Sequence, residues 1–252
     1  MSGGAGGRRV SFLVAGVQKG GTSALFEYLR EVPALQLPAV KEAHFFDDEQ
    51  RVDWARPDYS PYHALFQEDG RLWGEATPIT CYWPNALERA AAYNPALRLI
   101  LILRDPVERA WSHWKMEYAR ANETQPFAWC IRDGRARMAD AAPHPGFHRV
   151  YSYVERGFYA AQIERTLGLF PRDQLLLLRS TDLRDDPDGA IARICRFLEV
   201  ATPPAEVRRR AVRVAADIAY PSVLAPEDIA YLRNIYAADQ ARLAMLSPGA
   251  SE

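Results

Sequence analysis

Residues 10–29 read VSFLVAGVQKGGTSALFEYL, and the change of character at Gly16 decides how the chain folds. The apolar run with β-branched residues up to Gly16 has the pattern of a buried strand. From Thr22 onward Leu25, Tyr28 and Leu29 fall on one helical face, and Pro33 stands just past its end. A strand that turns through glycines into a helix N-terminus aims several backbone N–H groups and the positive end of the helix dipole at one point, where anions bind. Gly20 and Gly21 let the backbone approach an anion closely, Thr22 and Ser23 add hydroxyl donors, and Lys19 adds a full positive charge. A glycine-rich turn of purely structural use is the competing reading of the stretch taken alone.

Working outward, LRLILILRD (97–105) is apolar throughout, as a central parallel strand buried on both faces should be. Asp105 and Pro106 form an N-cap and N1 pair that opens a helix, with an expected inward stripe of Val107, Ala110, Trp111, Trp114 and Tyr118. Further on, GFYAAQIERTLGLF (157–170) is a helix, DQLLLLRS (173–180) a buried strand and DDPDGAIARICRFLEV (185–200) a capped helix. PEDIAYLRNIYAADQARLAML (226–246) is a last helix with Ile229, Leu232, Tyr236 and Leu243 inward. Strands alternating with helices predict an α/β fold, a central mostly parallel sheet flanked by helices, in one domain over residues 10–247. Residues 1–9 read as a flexible tail. Residues 121–156, rich in Arg, His, Gly and Pro, read as a lid or substrate segment, with a mobile surface excursion as the alternative.

The 252 residues carry a formal net charge of -1, with 48% apolar and 25% charged side chains. That composition describes a soluble globular protein able to bury a full core. It gives no support for nucleic acid or an anionic membrane as an obligate partner. No stretch reaches the roughly 18 apolar residues of a membrane span, and the start shows no signal-peptide pattern. Cys81, Cys130 and Cys195 are odd in number and far apart, so neither a disulfide framework nor a zinc site is indicated. A reducing cytoplasm is the expected location.

The lysine of the glycine loop is displaced relative to an ATP-binding Walker A sequence, which places it immediately before the hydroxyl residue. Here Gly16 and Gly21 keep the glycine spacing, but Thr22 follows Gly21 directly and Lys19 comes earlier. Arg104, at the carboxyl end of a parallel strand, sits at the edge where open α/β sheets bind ligands. Ser112 lies two turns beyond Asp105, so Arg104 and Ser112 can reach one further phosphate; a surface arginine and a solvated serine are the plainer alternative. In AVKEAHFF (39–46), Glu42 and His44 are alternate residues that point the same way in extended geometry, with Lys41 directed elsewhere. A carboxylate or imidazole beside a phosphate loop is a candidate general base.

In this order the three pieces resemble the sulfotransferases that use 3'-phosphoadenosine 5'-phosphosulfate (PAPS), in particular the heparan sulfate glucosaminyl type and its bacterial relatives. GVQKGGTSAL is similar to that family's 5'-phosphosulfate loop, KEAHFFD to the segment with its catalytic glutamate, and LILRDPVERAWSHW to its 3'-phosphate motif. The likeness continues through FPRDQLLLLRSTDLRDDP, and covers roughly residues 10 to 200. It implies that Lys19 neutralises the bridging oxygen as sulfate leaves, while Gly20, Gly21, Thr22 and Ser23 hold the 5'-phosphate. It also implies that Arg104 and Ser112 bind the 3'-phosphate. Glu42 takes the acceptor's proton, with His44 as alternative base or positioning group. The resemblance likewise implies PAP as the product and no required metal.

The chain also departs from that pattern. GEATPITCYW (74–83) has Ala76 where the family often carries a lysine, so a cationic contact is missing or supplied elsewhere, with Lys41 one option. The family's late basic loop is not evident; Arg208, Arg209, Arg210 and Arg213 are either nucleotide contacts or a solvated helix face. A nucleotide kinase or NTPase and a non-catalytic PAP-binding relative are the alternative functions. A carbohydrate or small-molecule acceptor is expected, its hydroxyl or amine receiving the sulfuryl group. Trp54, Tyr59, Tyr62, Trp73, Tyr82 and Trp83 either stack on it or belong to the core.

Overall fold

The computed structural model describes residues 8–203 and 218–246. Five strands form one sheet: β1 Phe12–Gly16, β2 Leu35–Gln36, β3 Leu72–Glu75, β4 Arg98–Leu103 and β5 Leu175–Arg179, in the order β2-β3-β1-β4-β5. Each neighbouring pair is parallel. The expected α/β architecture is therefore present. The chain leaves β1 toward β2 and β3 on one side and returns to β4 and β5 on the other. The crevice outside the carboxyl ends of β1 and β4 is thus the topological switch point, where such sheets bind ligands.

Both faces of the sheet are covered, which is why β1 and, after Arg98, β4 are apolar at successive rather than alternate positions. Leu13, Ala15, Leu99, Leu101 and Leu103 point into one core, while Phe12, Val14, Ile100 and Ile102 point into the other. The helices are α1 Thr22–Arg30, α2 Ser60–His63, α3 Ala86–Tyr93, α4 Pro106–Ala119, α5 Phe127–Cys130, α6 Tyr159–Leu169, α7 Ser180–Asp185, α8 Pro187–Phe197 and α9 Pro226–Leu246. Helices α1 and α8 cover the second face; α3 and α6 cover the first. Asp105 caps α4 by accepting from the Glu108 N–H at 2.8 Å, and Asp186 caps α8 through the Gly189 N–H at 2.9 Å.

The structure differs from the sequence reading in several places. Strands β2 and β3 were not legible: one has two residues, and the other carries Gly74 and the buried Glu75 in four. On α4, Val107, Ala110 and Trp114 are buried as expected, but Trp111 and Tyr118 are only half-buried. Arg109, His113 and Glu117 are buried instead, because this helix is covered on a second, polar side as well. Residues 121–156 are less irregular than their composition implies. Phe127, Cys130, Ile131, Tyr153 and Val154 join Trp114 of α4 and Leu232 and Tyr236 of α9 in a third core. Tyr62, Trp73, Tyr82 and Trp83 are buried, with Trp54 and Tyr59 packed against the same cluster, so these aromatics are core. All three cysteines are free and buried. Arg208, Arg209, Arg210 and Arg213 lie outside the described residues. Among the described residues no helix is long and apolar enough to cross a membrane.

Candidate active site

The loop from β1 to α1 is held against the end of β4. The Val17 N–H donates to the Ile102 carbonyl at 3.2 Å, and the Gly20 N–H donates to the Val17 carbonyl at 2.9 Å. A Cβ on Gly20 would lie 2.2 Å from that Ile102 oxygen, and Gly21 has φ +112, so both glycines are required by backbone geometry. Helix α1 begins at Thr22 without a side-chain cap, leaving its first N–H groups for another acceptor. Thr22 is buried and Ser23 exposed.

Lys19 is half-buried and, among the described residues, has no carboxylate within ion-pairing distance. Burial pulls its pKa down, and the charges of Arg120, Arg104 and Lys115 pull it further; only Glu117 opposes them. Several cations thus converge on one glycine loop with too little negative charge among them. Such a cluster is stabilised by an anion.

Arg104 directly follows β4. Its carbonyl accepts from the Tyr159 hydroxyl at 2.9 Å, and its guanidinium holds Glu108 at 3.0 and 3.1 Å. The structure therefore places Arg104 within electrostatic range of Lys19, but engaged with a carboxylate one turn along α4. Ser112 is half-buried on α4 and makes no hydrogen bond to Arg104 among the described residues.

The segment with Glu42 and His44 is not extended, contrary to the sequence reading: Glu42 has φ 68 and His44 φ 51. Their side chains nevertheless meet. His44 Nε2 lies 3.4 Å from Glu42 Oε2, and His44 Nδ1 lies 2.8 Å from Asp47 Oδ2. Lys41 does not point elsewhere; its ammonium contacts Glu42. Burial alone would raise the Glu42 carboxyl, but the His44 hydrogen bond and the Lys41 charge overrule it and hold it at about 2. Hydrogen bonds to Asp47 and Glu42 raise His44 to about 9 against the effect of burial. At neutral pH the centre is a carboxylate–imidazolium–carboxylate chain.

Asp47 was missed in the sequence, where it is one more acid after two phenylalanines. It is fully buried, and Arg149 donates to its Oδ2 at 2.6 Å and to its carbonyl. Beneath the segment, burial raises the Glu75 carboxyl to about 7; the Thr77 hydroxyl donates to it at 2.6 Å and accepts from the His44 N–H at 3.3 Å. Ala76 packs into the core on the α1 side of the sheet.

A cavity of about 700 Å³ lies on the Glu42–His44–Asp47 side, with Gln18, Glu42, His44, Glu117, Arg120 and Arg156 among its walls; Gln18, just before the glycine loop, brings the loop to its edge. Its remaining wall includes positions 141–143 and 147–150 of the segment read as a lid. Arg156 is buried and connects that wall to the loop. It donates to the Gln18 side chain, to Ser152 Oγ at 2.8 Å, and to the His148 and Arg149 carbonyls at 3.3 and 2.8 Å. Burial lowers its pKa to about 10. No group of three or more metal-ligating side chains is gathered among the described residues.

The family model described as "Sulfotransferase domain" matches residues 10–215. Human heparan sulfate glucosamine 3-O-sulfotransferase 3B1 is 31% identical over 189 residues, which take in 74% of this chain and 45% of the relative. The chain therefore spans about half the length of such curated relatives. A crystal structure of a sulfotransferase from Alicyclobacillus acidocaldarius superposes with a TM-score of 0.76 at 27% identity, over 94% of this chain and 95% of that one. Mouse sulfotransferase SULT7A1, solved with PAP, shares the fold at 18% identity and a TM-score of 0.50, over 78% of this chain and 60% of its own. With the matched region running from the strand before the glycine loop past the last strand of the sheet, this chain belongs to the sulfotransferase family.

Proposed function

We propose that this chain moves a sulfuryl group from PAPS to a hydroxyl, or an amine, of a carbohydrate or small-molecule acceptor. The observation that supports the proposal is a cation-rich glycine loop, opening an uncapped helix, whose neighbour Gln18 shares a cavity wall with the carboxylate–imidazolium–carboxylate chain. The loop N–H groups of Gly20, Gly21, Thr22 and Ser23 would hold the 5'-phosphate. Arg104, released from Glu108, would hold the 3'-phosphate with Ser112.

The acceptor oxygen attacks sulfur in line with the bond to the 5'-phosphate; that S–O bond breaks and its electron pair stays on the phosphate oxygen. Lys19 offsets the charge that grows there, as positioned charges do in phosphoryl transfer. The acceptor's proton goes to Glu42. His44 already carries a proton and uses both ring nitrogens, so it orients Glu42 and is not itself the base. Residues 121–156 supply the acceptor-side wall.

The test is ligand binding to Arg104→Ala. PAP should weaken by about 30-fold, the loss of a charged hydrogen bond of roughly 2 kcal/mol. Adenosine 5'-phosphosulfate, which lacks the 3'-phosphate, should change little. An equal loss for both ligands would remove the 3'-phosphate assignment, and magnesium-dependent ATP turnover by the wild type would favour a nucleotide kinase or NTPase instead.

A further inference from the structure

Three of the four arginines on the cavity lining, Arg51, Arg120 and Arg149, already have a carboxylate partner within the protein, and the fourth, Arg156, is spent on uncharged acceptors. Arg149 is held by Asp47 and lies over the Trp83 ring at 4.2 Å. Arg51 donates through Nε to Asp48 Oδ2 at 2.5 Å, and Asp48 Oδ1 accepts from the Gln50 and Arg51 N–H groups at 2.9 Å. Arg120 pairs with Glu117 at 3.5 Å, and Arg156 spends its guanidinium on Gln18, Ser152 and two carbonyls. Glu49, on the same wall, takes Arg89 at 2.7 and 2.8 Å and the Trp83 indole N–H at 3.0 Å. Burial and the charges of Arg137 and Arg156 keep the His148 ring below its ordinary pKa, and its Nδ1 accepts the Val150 and Tyr151 N–H groups at 3.0 and 3.1 Å. Five carboxylates thus face four guanidiniums and the His44 imidazolium on the lining, which leaves it no net positive charge.

We infer that the acceptor is an uncharged hydroxyl compound and not a polyanion such as the sulfated polysaccharide specified in the relatives' names; this rests on the sulfotransferase reading of the site. At Arg51, Arg120 or Arg149 an anionic acceptor would have to detach the arginine from its carboxylate and then lie beside that carboxylate, which is a repulsive arrangement. At the buried Arg156 it would have to displace the Gln18, Ser152 and backbone contacts. A neutral polyol meets hydrogen-bonding groups that stay paired while it binds. Pro78, Ile79, Pro143, Phe147 and Val150 supply an apolar strip for the less polar face of such a molecule.

The experiment titrates the full chain, with and without saturating PAP, with cellohexaose and with its per-O-sulfated derivative at low and at physiological salt. The wild type should bind the sulfated probe no more tightly than the neutral one. Asp48→Asn keeps the acceptor for the Gln50 and Arg51 N–H groups but frees the Arg51 charge. It should strengthen the sulfated probe by about fivefold, with cellohexaose and PAP unchanged. The inference is overturned if the wild type prefers the sulfated probe in a salt-sensitive way that Arg51→Ala abolishes, or if Asp48→Asn leaves the probes' affinities as they were. Failure of PAP to bind would instead remove the sulfotransferase reading, while the order of the two probes would still decide the charge of the acceptor wall.

Discussion

His44 holds a carboxylate on each ring nitrogen, and this arrangement decides which group can take a proton. With its pKa at about 9 the imidazole is charged at neutral pH, whereas Glu42, at about 2, is ionised. Glu42→Gln should therefore lower kcat by about 10²–10⁴-fold, the ordinary contribution of a general base, with PAP affinity unchanged by calorimetry. Full activity in that variant would return the base role to His44 or to another group. The signs of the two shifts also set a pH window. The raised His44 contributes fully below its ordinary value of 6.5 and loses its contribution as pH climbs through about 9. The depressed Glu42 contributes above 4.5 and loses its contribution as pH falls toward about 2. Transfer should thus decline above about pH 9, and Asp47→Asn should bring that alkaline limb down toward the ordinary histidine value. An alkaline limb that ignores Asp47 would show that His44 does not set it.

At the scale of elements, the β1–loop–α1 unit works because the loop backbone lies directly on β4. Gly20→Ala places a methyl against the Ile102 carbonyl, a backbone atom that cannot rotate away. The variant should lose about 1–3 kcal/mol of stability, as overpacked sites do, and should also lose PAP binding. Ser23→Ala, at an exposed position, is the control for folding; wild-type stability and PAP affinity in Gly20→Ala would mean the loop does not depend on this contact. This unit was legible because glycines, lysine and hydroxyls are adjacent in sequence and the strand is apolar on both faces. The inner side of α4 was not. Arg109, His113 and Glu117 recur every fourth residue as an apolar stripe would, yet a sequence pattern of charged residues reads as solvent. Only the second layer of structure on that helix makes it an interior. Glu42 and His44 were legible as a pair for the wrong reason, since their convergence comes from left-handed backbone and not from strand alternation. Asp47 needs Arg149, about a hundred residues further along the chain, to be understood at all.

Across the whole molecule, the last described helix is fastened to the segment that carries the cavity wall. The Tyr236 hydroxyl donates to the Val154 carbonyl at 2.9 Å, and the Tyr236 ring occupies the space a side chain on Gly157 would need. One turn further along α9, the buried Asp239 accepts from the Ala160 and Ala161 N–H groups at 3.1 and 3.4 Å. Helix α6 has no side-chain cap from its own flank, so a carboxylate of α9 performs that role from across the structure. Arg156, a few residues before α6, reaches the glycine loop through Gln18, which places this cap near the head of the site. Asp239→Ala removes the cap without touching any residue assigned to substrate. It should cost about 1–2 kcal/mol, seen as a Tm lower by a few degrees for a chain of this size. Because the loop is held independently by β4, PAP affinity at a temperature well below that Tm should stay as in the wild type. An unchanged Tm would mean that Asp239 does not act as a cap. A large loss of PAP affinity with the fold intact would mean that α9 reaches the donor site through Arg156, and that the third core belongs to the catalytic machinery.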